Sequence, residues 1–143
     1  MTNFDEYRDV FVVADTIDDV VHPVTYELIG QARHIAKELG QLVQVMLLGE
    51  NVQAEAEELV AHGADIVHVF ESPLLKYYTT DGYTKVLTDF FEDHKPNILL
   101  IGATNNGRDL APRMSGRMQN GVVADCTILT VDTEEGLVEW TRP

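Results

Sequence analysis

The chain of 143 residues is poor in cysteine and in positive charge. Its single cysteine, Cys126, excludes an internal disulfide and cannot by itself form a thiolate metal site, which favours a reducing compartment. Ten Lys and Arg stand against 24 Asp and Glu, for a formal net charge of −14. Without a basic cluster to neutralise a phosphate backbone, the composition argues against nucleic acid as a partner.

Long apolar runs are also missing from the sequence. No stretch approaches the roughly 20 residues that span a bilayer, which argues against membrane insertion. Residues 1–7 lack the basic and apolar segments of a signal peptide and show no transit-like basic character. We therefore predict a cytoplasmic protein, bacterial or archaeal.

Motifs for metal binding and side-chain catalysis are scarce. The histidines show no His-x-x-x-His spacing with a carboxylate third ligand, which predicts no metal site. No Ser or Cys stands in a nucleophile-elbow context, so we predict no catalytic residue. His68 lies inside an apolar strand pattern, where we expect a partly buried, hydrogen-bonded side chain.

What the chain does contain is a regular alternation of apolar runs and helical stripes. Strand-length apolar runs occur at residues 10–14, 43–48, 65–70 and 97–101. Apolar residues at helical spacing follow each run and predict four core stripes: Val24, Leu28, Ala32, Ile35 and Leu39; Val52, Ala56, Leu59 and Val60; Tyr83, Val86, Leu87, Phe90 and Phe91; and Leu110, Ala111, Met114 and Met118. Pro23 and Gly40 mark the start and end of the first helix.

This order of elements predicts a doubly wound α/β domain with a mostly parallel sheet covered on both sides. Residues 127–131 and 137–140, joined by an acidic turn, predict a C-terminal antiparallel hairpin. We predict that residues 1–143 form a single domain. Because the chain ends directly after a strand pattern, we expect it to be a fragment of a longer protein.

The loop after the fourth predicted strand is the main candidate site. In doubly wound sheets ligands bind where the strand order reverses, which places residues 14–16 beside this loop. The loop is neither a Walker A motif nor a Gly-x-Gly-x-x-Gly fingerprint. Two interpretations stay open, a phosphate or partner site at a helix start and an ordinary strand-to-helix turn. The candidate residues are Gly102, Thr104, Asn105, Asn106, Gly107 and Arg108.

Arg113 and Arg117 form a second candidate, since residues four apart share one face of a helix. Guanidinium groups form bidentate contacts, so this pair is suited to a carboxylate or phosphate from another subunit. The alternative is pairing with the abundant acidic residues of the same chain.

Two segments carry a resemblance to a known family. Residues 107–113, Gly-Arg-Asp-Leu-Ala-Pro-Arg, and residues 124–127, Ala-Asp-Cys-Thr, resemble the N-terminal domain of the electron-transferring flavoprotein alpha subunit. The similarity extends over nearly the whole chain. Its last two residues, Arg-Pro, are similar to the start of a family segment, Arg-Pro-aromatic-Gly-Gly-Asn, that continues further.

The resemblance implies a three-layer sandwich of the adenine-nucleotide-hydrolase-like class that serves as a scaffold and subunit-interface domain. It implies an electron carrier rather than an enzyme, with FAD in the full-length protein and no cofactor in this domain alone. The resemblance also implies that the C-terminal FAD-binding domain of the family is absent from this chain. The implied partners are a beta subunit, in a heterodimer, and an acyl-CoA dehydrogenase or similar redox protein. In electron-bifurcating members a second flavin lies near this domain, which makes Arg142 a candidate cofactor contact.

Two other functions remain open at this stage. One is a nucleotide-binding regulator similar to the universal stress proteins, whose phosphate loop ends in Gly-Ser or Gly-Thr. Here Gly107 is followed by Arg108, which departs from that pattern. The other is an interaction module without a small ligand, since fold alone does not determine function.

Overall fold

The structure is a computed structural model that describes residues 8–118, 128–132 and 137–141. The elements follow the chain as β1 (Val10–Val13), β2 (Thr16–Ile17), β3 (Val20–Val21), α1 (Pro23–Leu39), β4 (Val43–Gly49), α2 (Gln53–Ala61), β5 (Ile66–Glu71), a 3₁₀ turn (Pro73–Leu75), α3 (Thr80–Asp93), β6 (Ile98–Ile101), α4 (Asn105–Met118), β7 (Ile128–Asp132) and β8 (Leu137–Thr141).

The central sheet has four strands in the order β5-β4-β1-β6, and all three pairings are parallel. Val10 of β1 aligns with Val43 of β4 on one side and with Ile98 of β6 on the other. The chain thus proceeds outward from β1 to β5 and then returns to the opposite side of β1. This confirms the doubly wound, mostly parallel sheet and places the reversal between β1 and β6.

Helices cover both faces of the sheet, giving three layers. Alternate side chains of β1 point to opposite faces, as strand geometry requires. Val10 and Val12 join an aliphatic cluster with residues of α1 and α2, whereas Phe11 and Val13 join a second cluster with residues of α3 and α4.

The ends of α1 follow the predicted signals. Pro23 occupies the first turn, and the His22 Nδ1 accepts a hydrogen bond from the Val24 N–H at 3.0 Å. Gly40 adopts a left-handed conformation with φ of 65°, and its N–H donates to carbonyls of the last turn. Glycine suits this position because a Cβ disfavours positive φ.

The buried stripe of α1 differs from the predicted one by about one position. Val24, Leu28 and Leu39 are only half-buried. The side chains that α1 does bury are Thr25, Ile29, Ala32, Ile35 and Ala36. Apolar spacing determines that a stripe exists, but the contact with β1 and β4 determines which residues face the sheet.

The other stripes agree more closely with the prediction. In α2, Leu59 is buried but Val60 is 53% exposed, so its assignment to the core was wrong. The α3 stripe is confirmed, with Tyr83, Leu87 and Phe91 buried. Leu110, Ala111 and Met114 of α4 are buried as well, and the side chain of Met118 lies outside the described residues.

Two hairpins complete the described structure. β2 and β3 pair antiparallel through Asp18 and Asp19, whose φ values of 51° and 63° match a primed turn. Sequence analysis missed this hairpin because each strand has only two residues. The predicted C-terminal hairpin is confirmed as the antiparallel pair β7–β8, which forms a sheet of its own with β7 against α1.

Candidate functional site

The carboxyl ends of β1 and β6 enclose a small cleft at the start of α4. Asp15 and Thr16 line one side of it, and Gly102, Asn106 and Gly107 line the other. The topology predicted this juxtaposition of residues 14–16 with the loop after β6. The cleft encloses about 20 Å³, roughly the space of one water molecule.

Thr104 joins the two sides of the cleft. Its hydroxyl donates to the Asp15 carboxylate, and its oxygen accepts a hydrogen bond from the Gly107 N–H at 3.1 Å. A side chain of the protein therefore caps the first turn of α4. The Asp15 carboxylate also occupies the positive end of the helix, where an incoming anion would meet a like charge.

Gly107 makes the closest approach in the loop. A Cβ built on this residue would lie 1.8 Å from the carbonyl oxygen of Gly102, well inside van der Waals contact. Asn105 and Arg108 are exposed beside it, and Asn106 is half-buried. The first turn of α4 is thus seated directly on the end of β6, a packing arrangement that requires no ligand. The use of this loop as a phosphate or partner site stays a prediction.

Tyr78 lines the cleft and is hydrogen-bonded to Asp109 in the first turns of α4. The Asp109 Oδ2 accepts hydrogen bonds from the Thr80 hydroxyl and from the Tyr78 hydroxyl, the latter at 2.7 Å. These bonds from Thr80 and Tyr78 hold the pKa of Asp109 below its usual range. Burial and the bond to Asp109 raise the pKa of Tyr78 to about 12. Sequence analysis missed this pair because its members are 31 residues apart.

The two candidate arginines of α4 lie on the side of the helix that faces α3. Arg113 forms an ion pair with Asp81 of α3, with 2.8 Å between its Nη2 and the Asp81 Oδ1. This is the intrachain pairing that the sequence left as the alternative for Arg113. Arg117 is exposed in the same groove, and within the described residues it makes no ion pair.

Other predicted features fall in different places. His68 is half-buried, and its Nε2 lies 2.6 Å from the Gln44 Oε1, as expected for a hydrogen-bonded strand residue. Among the described residues no group of three or more His, Cys, Asp or Glu side chains is placed to hold a metal ion. Arg142 and residues 124–127 lie outside the described residues. No helix in the described ranges is both long and apolar enough to cross a membrane.

The cleft at the edge of the sheet does not fit a flavin or other dinucleotide. Pockets for such ligands measure roughly 300–1,000 Å³, far more than the 20 Å³ of this cleft. The carboxylate of Asp15 lines the cleft and bonds the Thr104 hydroxyl at the start of α4, where a phosphate oxygen would need a donor. The fold and the cleft define a doubly wound α/β domain. Its own side chains fill the carboxyl end of the sheet, where domains of this class bind ligands.

The chain belongs to the electron transfer flavoprotein domain family, whose model matches residues 10–143. It is 45% identical over 138 residues to the electron transfer flavoprotein subunit alpha of Megasphaera elsdenii, covering 96% of this chain and 41% of that protein. These matches confirm the resemblance to the alpha-subunit N-terminal domain that the sequence motifs indicated.

Two further relatives carry different names. The chain is 45% identical over 133 residues to the lactate dehydrogenase (NAD(+),ferredoxin) subunit LctC of Acetobacterium woodii, covering 93% of this chain and 32% of that protein. It is 43% identical over 130 residues to the acryloyl-CoA reductase electron transfer subunit beta of Anaerotignum propionicum, covering 91% of this chain and 35% of that protein. The chain therefore spans about two fifths or less of the length of these relatives.

Proposed function

We propose that this chain is the scaffold and subunit-interface part of an electron-transferring flavoprotein alpha subunit. In this role it supports FAD-mediated electron transfer between dehydrogenases and an acceptor, and it is an electron carrier rather than an enzyme. The observation that carries the proposal is the family match over residues 10–143, together with identities near 45% over more than nine tenths of the chain.

The FAD of the full-length protein is held, in this proposal, outside the span of this chain. The small cleft, the Asp15 carboxylate that lines it and the missing dinucleotide fingerprint all support that assignment. Bound flavin supplies the redox chemistry, and the protein supplies orientation and electrostatics. The rigid three-layer core of this domain is suited to the second task.

The proposed partners are a beta subunit, in a heterodimer, and an acyl-CoA dehydrogenase or a similar redox protein, in a bacterial or archaeal cytoplasm. The names of two relatives give support, since one is a subunit of a lactate dehydrogenase and the other an electron transfer subunit of an acryloyl-CoA reductase.

Arg142 remains the proposed contact to a second flavin in the heterodimer. A cation near the reactive nitrogens of a flavin stabilises the reduced anion and raises the reduction potential. We expect Arg142→Ala in the complete heterodimer to lower one flavin potential, measured by spectroelectrochemical titration. If the reduction potential of every bound flavin stayed unchanged, Arg142 would not have this role.

A nucleotide-binding regulator has less support as the function of this chain. The phosphates of a bound nucleotide would have to occupy the place where the Thr104 hydroxyl bonds the Asp15 carboxylate. The family match is to the electron transfer flavoprotein domain rather than to such a regulator. Titration of the full-length protein with ATP and AMP, followed by calorimetry, distinguishes the two functions, because a regulator requires saturable binding.

The visible absorption spectrum of the natural full-length gene product, purified with whatever accompanies it, tests the main proposal. A flavin spectrum together with a second subunit supports it, and two flavins per heterodimer indicate electron bifurcation. A colourless protein without a partner contradicts it.

A further inference from the structure

The groove between α3 and α4 is separate from the cleft at the edge of the sheet. We call it the α3–α4 groove, lined by Asp81, Thr84, Pro112, Arg113, Gly116 and Arg117. Its volume is about 290 Å³, more than ten times that of the cleft. The electron carrier role proposed above assigns this groove no function, and two of its residues are the arginines that the sequence offered for a carboxylate or phosphate of another subunit.

Thr84 gives the first indication that a ligand belongs in this groove. The residue is 2% exposed, and its hydroxyl has no hydrogen-bond partner in the described structure. Buried polar groups are almost always paired, because an unmade hydrogen bond costs about 1–3 kcal/mol. Thr84 is among the residues that line the groove, and its hydroxyl oxygen is itself buried, so donation to an entering oxygen requires the side chain to rotate toward the groove.

The two arginines give the second indication. Arg113 and Arg117 lie one turn apart on α4 and both line the groove. The exposed Asp81 carboxylate orients Arg113 through one of its nitrogens, leaving further N–H donors on the same guanidinium. Two of the ten cations of a chain with net charge −14 are therefore concentrated beside an unsatisfied hydroxyl.

The floor of the groove is open because of Gly116. A Cβ built on this residue would meet no atom within 4 Å. The absence of a side chain there leaves open space in this part of the groove.

We propose that the α3–α4 groove receives the carboxylate of an Asp or Glu side chain from the partner subunit. The carboxylate binds the guanidinium groups of Arg113 and Arg117, and the Thr84 side chain rotates toward the groove so that its hydroxyl donates to the same carboxylate. This proposal rests on the proposed function, since it needs a heterodimer, and it names the chemistry by which one surface of this domain recognises its partner.

A partner side chain fits the groove better than a free anion. The Arg113 side chain is 59% exposed and that of Asp81 is 91% exposed, and isolated ion pairs at exposed sites are weak. An acidic side chain fixed within a larger interface pays less entropy and becomes desolvated on docking, which strengthens its bond to arginine.

The test measures association of the full-length alpha subunit with its natural beta subunit by calorimetry at several salt concentrations. We expect Arg117→Gln to weaken binding by about tenfold or more and to reduce the salt dependence. Lys37→Gln, which removes an exposed charge from α1 on the opposite face, is expected to change the affinity by less than about twofold. Equal affinities for wild type and Arg117→Gln overturn the proposal.

A second pair of variants blocks the groove without removing charge. Leucine is a good helix former, and both Gly116 and Gly30 have open space where a Cβ would lie. We expect Gly116→Leu to fold, as judged by circular dichroism, and to weaken subunit binding by about tenfold, whereas Gly30→Leu on α1 leaves the affinity unchanged. Undiminished binding by a folded Gly116→Leu variant contradicts the proposal.

Two further arms identify the source of the carboxylate. Charge reversal by Arg117→Glu is expected to be rescued by one Asp→Lys or Glu→Lys change on the beta subunit. Inorganic phosphate that binds the groove while subunit affinity is insensitive to Arg117→Gln indicates a free-anion site and overturns the partner proposal. If the wild-type subunits do not associate, the proposed function fails and this proposal fails with it.

Discussion

The two faces of the central sheet are covered by different kinds of side chain. Under α1 and α2 the buried cluster consists of Val, Ile, Leu and Ala residues. Under α3 and α4 the buried cluster contains aromatic and Met side chains, among them Phe11, Met46, Tyr83 and Phe91. His68 is half-buried on this second face, between the rings of Phe11 and Phe90.

Polar groups follow the same division. On the α1 side the buried Thr25 hydroxyl is satisfied, because it accepts from the Asp15 N–H at 3.0 Å. On the α3–α4 side lie the Tyr78–Asp109 bond, the Asp81–Arg113 ion pair and the unpartnered Thr84 hydroxyl. Other buried hydroxyls on this side are satisfied, since those of Tyr83 and Thr88 donate to backbone carbonyls. The unpartnered Thr84 hydroxyl is therefore the feature that distinguishes the α3–α4 side and on which the proposed partner contact depends.

The largest expected effect concerns the two ends of α4. We expect Gly107→Ala to destabilise the domain by about 3 kcal/mol or more, because the new Cβ would collide with a backbone oxygen that cannot move aside. Gly116→Ala, in open space on the same helix, is expected to stabilise it by about 0.5–1 kcal/mol. Urea denaturation measures both, and equal effects would show that the start of α4 is not tightly packed.

The buried threonines compare the two faces directly. We expect Thr25→Val to cost about 1–2 kcal/mol, since it leaves the Asp15 N–H without an acceptor. Thr84→Val removes a hydroxyl that has no partner and is expected to be neutral or to stabilise by about 1 kcal/mol in the isolated chain. If Thr84→Val lowered the free energy of unfolding more than Thr25→Val did, the assignment of Thr84 as unsatisfied would be contradicted.

We expect the stability of the fold to decrease in acid because of His68, on the side of the sheet covered by α3 and α4. Burial, reinforced by the nearby His94 ring, lowers the pKa of His68 in the folded state. The unfolded chain then binds the proton more readily, so stability is full above about pH 6.5 and decreases as the pH falls below that value. We expect His68→Gln to flatten the pH dependence of the unfolding free energy between about pH 7 and 5.

The control for this experiment is His34→Gln, which changes an exposed histidine on α1. It is expected to leave the acid-side slope as in the wild type. A slope that His68→Gln does not change would place the acid sensitivity elsewhere.

The smallest effect concerns the tyrosine that lines the cleft. Because the bond to Asp109 contributes to raising the pKa of Tyr78 to about 12, we expect Asp109→Asn to lower that pKa while burial keeps it above 10. Ultraviolet titration of tyrosinate formation measures the shift, with Tyr78→Phe identifying the transition. A pKa that does not change in Asp109→Asn would mean that burial alone is responsible.

Motifs and spacing predicted a large part of this arrangement. Runs such as Val43 to Leu48 are continuous because both faces of the strand are covered, which made the parallel sheet and its winding predictable. The same topology placed residues 14–16 beside the loop after β6. The partners of Arg113 and Asp109 were not predictable, because Asp81 and Tyr78 lie 32 and 31 residues away and nothing local pairs them.

The sequence by itself determined the class of fold, the order of the strands and helices and the family, because these depend on local periodicity and on motifs such as residues 107–113. The tertiary structure alone decided which residues of α1 reach the core, how Thr104 and Asp15 fill the start of α4, and that an unpaired hydroxyl lies beside two arginines. The physical reason is that periodicity is a local property of the chain, whereas burial and hydrogen-bond pairing depend on groups that only folding brings together.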